Sequence, residues 1–573
     1  MAYLPAVGAG FVFDDHVLIE DGRLLRGPLS AIWFGTTAPD YWPLTNTALW
    51  VEWHLFGVGP TGYHLVTLAL HLLTAVLLWR TLNRLGLRGA WLAGLLFAVH
   101  PVTVESVAWV SEIKNTLSGS LWLLTSLAWL RSGEGHSTGW RAAAVGLFAL
   151  ALLAKVSVVV LPVILLGIAI ARQRRPWRRE LLALVPFFTL ALIAAVGNVW
   201  FQHENAMASG WAPSRGLAER AGGAGWALAA YLEAAFLPVR LAIIYPPWPV
   251  GPTSAWFFVP LATLGAALAT LWRFRAGWAR PLLLTLGYHA VCVAPVLGFV
   301  DMAFLNLAPV SNHLQYLALM GPVALAGWTV AGLAGRWPRS AALGGAALVG
   351  VLGAMTFQRA RAFGDDLPLW QAAVRAAPDS AVARQELGGL LISKGRVAEG
   401  AAELEHAMDV STDPGLRHSL RSRLFFLAGK ATEAVTEARM ALKTTEDPGL
   451  QSDAAWTLLE TGRVDEAIAA FQTLTRRMPG ASEYAYRLSV ALARAGRTAE
   501  AADVLMAYCK TRPGHPRMEQ ALTLLLVRLG QLDRARANAA EFLGVSPSDP
   551  RAEAQVRDWY REASAGSRAA PTR

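Results

Sequence analysis

The chain has 573 residues, 54% of them hydrophobic, with 51 Lys and Arg against 41 Asp and Glu, and 23 tryptophans. A mean hydropathy of +0.36 over such a length excludes an ordinary soluble globular protein. The net charge of +10 does not point to nucleic acid: before Arg359 there are 22 basic and 14 acidic side chains and after it nearly equal numbers, so the excess belongs to the apolar half and reports topology.

In chain order, residues 1–61 read as a loop that carries Phe13-Asp14-Asp15-His16. Ten apolar runs follow, near 62–82, 89–109, 115–131, 141–154, 156–172, 180–200, 254–273, 280–300, 314–336 and 340–358. Their lengths suit membrane-spanning helices, and the short runs 141–154 and 156–172 can also be one bent element around Lys155. Arginines cluster in alternate loops, at Arg80, Arg84 and Arg88, at Arg131 and Arg141, at Arg172, Arg174, Arg175, Arg178 and Arg179, at Arg273, Arg275 and Arg280, and at Arg336 and Arg339. Placing these in the cytoplasm leaves 1–61, the turn near 111–115, the loop 201–253 and the loop 301–313 outside. The apolar segment 226–245, followed by Tyr245-Pro-Pro-Trp-Pro249, is then re-entrant or interfacial. The last span delivers everything beyond it to the outer side.

Beyond the spans, Gly395, Gly429, Gly462, Gly496 and Gly530 recur at intervals of 34, 33, 34 and 34 residues. Four of them open a polar run ending on a small residue, at Ala434, Ala467, Ala501 and Ala535; the first unit departs, with Gly400 in that place. A glycine that ends one helix and an alanine that lets the next pack closely make a helical hairpin, and Pro479, Pro513 and Pro547 stop helices at one phase. The period resembles tetratricopeptide repeats. The expected fold is all-α: a polytopic membrane helical bundle over 62–358, a repeat superhelix over 359–562, and a disordered tail over 563–573.

This topology gathers polar side chains on the outer face. They are Asp14 and Asp15, Glu105 at the end of a span, Lys114, Lys155, His203-Glu204, and the group Asn312, His313 and Gln315. Carboxylates at a bilayer surface are costly to desolvate, so acids and lysines at similar depth indicate a polar site rather than solvated loop charge. Carboxylates can orient and deprotonate a hydroxyl, while Lys and His can hold a departing phosphate. A donor whose leaving group is a lipid phosphate reaches such a site from the bilayer.

At these residues the chain resembles the transmembrane and tetratricopeptide-repeat O-mannosyltransferases, which belong to the C-type fold of lipid-linked glycosyltransferases. The resemblance rests on Gly10-Phe-Val-Phe-Asp-Asp15, Tyr41-Trp-Pro-Leu-Thr45, Gly62-Tyr-His-Leu65 with His71, the run Phe97 to Ala108, Lys155 before Pro162, and Asn312-His-Leu-Gln-Tyr-Leu317, in this order ahead of the repeats. It implies a polyprenyl-phosphate sugar donor, transfer with inversion, and the acids of the first outer loop as the catalytic group. By the same resemblance Asp14 and Asp15 supply base and orienting partner, and Glu105 assists. Lys114, Lys155 and His313 bind the donor phosphate, and His100, Tyr41, Trp42 and Gln315 contact substrate. The family has a span before the double-aspartate loop; here Tyr3-Leu-Pro-Ala-Val7 looks like its tail, so the expectation is a first span that is absent or a misplaced start. Trp42 stands where the animal enzymes commonly have Arg, and His313 where many relatives carry Arg.

Cys292 lies in an apolar span and Cys509 in a repeat helix, so no disulfide is expected, and His64 and His71 are read as structural. No obligatory metal is expected, and no glycine-rich phosphate loop supports a nucleotide sugar as direct donor. The working reading is a glycosyltransferase of the bacterial inner membrane, with active site and repeats on the periplasmic side, acting on Ser or Thr of an exported protein. Its partners are the lipid-linked sugar, the membrane and the exported protein. Two alternatives stand beside it: a non-enzymatic anchored scaffold for envelope proteins, and a same-fold transferase acting on a lipid or cell-envelope glycan.

Overall fold

A computed structural model describes the chain apart from residues 21, 36–39, 136–137, 173–175, 206–214, 303, 512–514, 544 and 570–573, and apart from the side chains of 23, 134–135, 203–205, 306 and 562–569. The side chains of His203 and Glu204 and the whole of Pro513 thus lie outside the described residues. The fold is all-helical, with no strand among the described residues. It divides into two compact units: residues 1–16, 38–207 and 212–387 form the first, and 17–37, 208–211 and 388–573 the second.

In the first unit every apolar run forms helix, but not every helix is a full span. Pro60–Arg84, Trp177–Gln202, Ala255–Arg273 and Pro338–Ala362 are long and apolar enough to cross a bilayer, which with the similarities reported below makes this a multi-pass membrane protein. Thr138–Ala154, Val156–Arg172, Arg280–Val296 and Met320–Ala334 are shorter. Large apolar side chains such as Leu72, Leu182, Leu192, Ile193 and Leu343 are exposed on these helices, as lipid-facing surfaces require. Inside, helices touch through glycine: a Cβ on Gly94 would lie 2.8 Å from the Ala75 carbonyl oxygen, and one on Gly89 would lie 2.0 Å from that of Gly327.

The run 89–109, expected as one span, is broken. Ala90–Ala98 and Pro101–Ala108 meet at 48°. Pro101 has no N–H to continue the helical ladder, and the His100 ring accepts the Val102 N–H through Nδ1 while Nε2 faces the Ala235 carbonyl at 3.2 Å. Lys155 makes a second break. Its φ of −158° is extended, so Thr138–Ala154 ends there and a 3₁₀ turn, Val156–Val160, leads into Leu161–Arg172. Leu217–Phe236 is helical and gives way to irregular backbone before Ala255, where the sequence suggested a re-entrant or interfacial segment.

Residues 1–16 form the short helix Leu4–Val7 and an irregular stretch, fixed by the Tyr3 hydroxyl on Thr103 at 2.7 Å. His71 meets the Tyr316 hydroxyl at 2.8 Å and His64 faces the Gly10 carbonyl at 3.4 Å, a packing role for both histidines.

The second unit holds paired helices, among them Val397–Val410, Pro414–Leu427, Ala431–Thr444, Pro448–Glu460, Val464–Arg477, Ser482–Arg494, Thr498–Thr511, Pro516–Arg528 and Leu532–Leu543. All five periodic glycines adopt φ between 72° and 80°, the left-handed turn an L side chain resists, and Ala434, Ala467, Ala501 and Ala535 are fully buried. Gly400 answers a local demand: a Cβ there would lie 2.6 Å from the Gly388 carbonyl oxygen, so this first hairpin is closer than alanine permits. Asp413 and Asp447 cap helices whose first residue is proline, accepting the N–H groups of Gly415 and Gly449. The last helix, Pro550–Ala569, extends into the segment read as a tail. Both cysteines are buried and neither is in a disulfide.

Candidate functional site

The site is assembled in the first unit around the two aspartates. Phe13 has φ +54°, a strained value for a bulky residue, and its ring packs edge-on against Trp109 and Trp370. The turn so formed sends the adjacent carboxylates to different tasks. Asp15 is fully buried and accepts backbone N–H groups from Ser111 at 2.7 Å and from Val110 and Val12 at 3.3 Å. Asp14 is only partly buried, and both of its bonds, from the Trp109 indole N–H at 2.6 Å and the Ser111 hydroxyl at 2.8 Å, reach Oδ1. Its Oδ2 has no hydrogen bond among the described residues. Burial raises the pKa of Asp14, with Lys114 opposing and Glu112 reinforcing that shift. Burial, then the neighbouring Asp14 charge, pushes Asp15 up to about 7 against the pull of its N–H donors.

Glu105, also fully buried, accepts Arg359 Nη2 at 2.5 Å, Asn312 Nδ2 at 2.7 Å, the His313 N–H at 3.0 Å and the Ser311 hydroxyl at 3.2 Å. It thereby clamps the 311–313 turn to the broken span and to the helix Pro338–Ala362. Arg359 also donates Nη1 to the Leu241 carbonyl. The His313 ring stands between Trp109 and Phe304, with Nδ1 on the Ser311 hydroxyl at 2.7 Å and Nε2 3.8 Å from Glu112.

Glu112 pairs with Lys114 at 2.6 Å and accepts Asn115 Nδ2 at 2.6 Å, while Asn115 Oδ1 accepts the Lys155 ammonium at 2.5 Å. Lys114 also lies 4.5 Å from the centre of the Trp42 ring. Lys155 differs from the other cations: its one hydrogen bond among the described residues goes to a neutral amide, and no carboxylate among them pairs with it. The break in the helix at Lys155 is what turns this ammonium into the cluster.

The structure therefore brings Asp14, Asp15, Glu105, Lys114, Lys155, His313 and Trp42 into one connected group. His100 is not part of it, since Nδ1 accepts the Val102 N–H at the helix break and Nε2 faces the Ala235 carbonyl of the helix Leu217–Phe236. The Tyr41 ring lies 5.5 Å from that of Phe201, tilted by 47°. Gln315 is fully buried with neither amide atom bonded. Residues that sequence reading did not single out are Trp109, Ser111, Glu112, Asn115, Arg359 and Asp366. Glu112 and Asn115 lie within the turn near 111–115 that the sequence places outside, beside Lys114. Nothing in the sequence marked Arg359, which is 254 positions from its partner.

Residues 39–201 match the family model for dolichyl-phosphate-mannose-protein mannosyltransferases, and 452–516 match a tetratricopeptide-repeat model. The first stretch contains Trp42, Glu105, Glu112, Lys114, Asn115 and Lys155. The comparisons support the transmembrane and tetratricopeptide-repeat O-mannosyltransferase family. The protein O-mannosyl-transferase Tmtc2 of Drosophila melanogaster is 33% identical over 155 residues, covering 24% of this chain and 16% of that protein. Human TMTC3 is 30% identical over 163 residues, covering 26% and 18%. The chain thus spans less than a fifth of the length of these two relatives. Among solved structures, the tetratricopeptide-repeat protein YrrB is similar at 15% identity and a TM-score of 0.23, over 33% of this chain and 97% of that one. The thermophilic repeat protein TTC0263 of Thermus thermophilus is similar at 18% and 0.25, over 31% and 98%.

Proposed function

We propose that the chain is an integral-membrane glycosyltransferase that moves a sugar from a polyprenyl-phosphate donor to a Ser or Thr hydroxyl of an exported protein, on the extracytoplasmic side, with the repeats holding the acceptor or a partner. The observation that carries this reading is the presence, in one buried cluster, of a carboxylate with a free oxygen and an ammonium whose hydrogen bond goes to a neutral amide rather than to a carboxylate. Asp14 Oδ2 takes the proton of the acceptor hydroxyl as its oxygen bonds to the anomeric carbon. The bond from that carbon to the phosphate oxygen breaks, and the negative charge that remains on the carrier phosphate is met by Lys155, with Lys114 beside it. Asp15 and Glu105 do not react; they hold the aspartate loop and the His313 turn in register. A scaffold without chemistry would gain nothing from keeping this many charges out of water, which is costly unless each is paired.

The deciding experiment reconstitutes the full chain in liposomes with polyprenyl-phosphate mannose and a Ser/Thr-rich peptide. Wild type is expected to transfer sugar, Asp14→Asn to lose it, Lys155→Gln to require more donor, and EDTA to leave the rate unchanged, since no step uses a metal. Full activity of Asp14→Asn rejects the role given to that carboxylate. Transfer to lipid or glycan in place of peptide redirects the acceptor while keeping the chemistry.

A further inference from the structure

A cavity of about 380 Å³ opens where the helix Pro338–Ala362 ends and Asp366–Ala376 begins. Pro101, Leu241, Ile243, Phe363 and Leu369 supply apolar wall; Arg359 and Arg375 supply charge, and no Asp or Glu among the described residues lines it. Arg359 is committed to Glu105 and the Leu241 carbonyl through one hydrogen on each terminal nitrogen, which leaves one further N–H on each of them, while its Nε is buried without a partner. Arg375 is exposed and makes no hydrogen bond or ion pair among the described residues. By length and composition Pro338–Ala362 crosses the bilayer, so its last turn, with Arg359, lies at the membrane surface.

We propose that this cavity binds a phosphate-bearing anion, separately from the donor site at Lys155. Arg375 carries a charge that no acid among the described residues pairs, Arg359 beside it is paired with Glu105 but keeps unused terminal N–H donors, and the guanidinium fork matches phosphate oxygens. The apolar wall accommodates the carbon skeleton next to that phosphate. The source is an anionic phospholipid head group or a soluble phosphate, and the two share this recognition chemistry. The walls also carry the supports of the catalytic loop, because Arg359 holds Glu105 and the helix that begins at Asp366 holds Phe13.

The test uses the full chain in neutral detergent, followed by tryptophan fluorescence during heating. One arm adds inorganic phosphate and the other adds mixed micelles containing phosphatidylglycerol, with phosphatidylcholine as the comparison. The unfolding midpoint is expected to rise with dose, since a ligand held by the folded state alone stabilises it. The rise should fall at least about threefold in Arg375→Gln, which removes a charge at an exposed position, and in Ala372→Phe, which fills the cavity. A response to inorganic phosphate assigns a soluble anion; one confined to phosphatidylglycerol assigns a lipid head group. No rise in either arm, or a rise that either variant retains in full, overturns the proposal.

Discussion

Asp366 accepts the backbone N–H of Phe13 at 2.9 Å, and its other oxygen meets the His16 ring at 2.9 Å. The residue after the membrane body thus grips both ends of the Asp14-Asp15 pair and holds Phe13 in its strained turn. Asp366→Ala should let that turn relax and displace Asp14 from Trp109. A displacement of about 1 Å costs about a hundredfold in rate, so transfer should drop by that order while the unfolding midpoint moves little. Steady-state transfer measured beside thermal unfolding separates the two effects; an equal loss in both would mean that Asp366 only stabilises.

The two aspartates should respond differently to pH. Because burial raises Asp14 above the ordinary carboxylate value, the acid limb of transfer should lie above that value, with activity rising as Asp14 ionises. Asp15 acts on stability. Its pKa of about 7 in the fold exceeds 3.8, so its contribution is complete below pH 3.8 and is lost as pH rises through about 7. Unfolding midpoints recorded from about pH 4 to about pH 8 should decline in wild type, and the decline should be shallower in Asp15→Asn.

Fully buried Glu105 and partly buried Arg359 form an ion pair whose members are unequal to their removal. Arg359→Ala leaves a carboxylate without its cation and should cost about 3–5 kcal/mol, whereas Glu105→Gln combined with Arg359→Met removes both charges and should cost clearly less. Chemical denaturation of the purified variants gives the comparison. A double variant as unstable as Arg359→Ala would show that the hydrogen bonds to Asn312 and Ser311, rather than charge, hold this corner.

Gly400 offers a test of the repeat packing. Its missing Cβ admits the Gly388 carbonyl, so Gly400→Leu forces the hairpin apart and should destabilise the repeats by about 1–3 kcal/mol. Gly462→Ala, in contrast, meets open space and should cost about 1–2 kcal/mol from its left-handed backbone alone. Far-ultraviolet circular dichroism of the heated chain reads both, and a larger effect at Gly462 than at Gly400 would contradict this packing account.

The helices, their order and the repeat phase were legible in the chain, because each depends on neighbours a few residues apart. Apolar runs of about twenty residues become helices wherever water is excluded, and a glycine recurring at intervals of 33 or 34 residues forms the same left-handed turn each time. The sequence also marked most of the ionisable residues of the site, since charge within an apolar chain stands out. Which of them keep an open hydrogen-bonding atom was settled by folding. Asp14 and Asp15 are chemically identical in the chain, yet one is saturated by backbone N–H groups from residues almost a hundred positions away and the other keeps an open oxygen. Glu105 reads as an available acid until Arg359 and the 311–313 turn occupy it, and His100 reads as a ligand until the Val102 N–H and the Ala235 carbonyl occupy its two nitrogens. Hydrogen-bond saturation is a property of partners brought together by folding, so local pattern could locate these groups but could not assign their tasks.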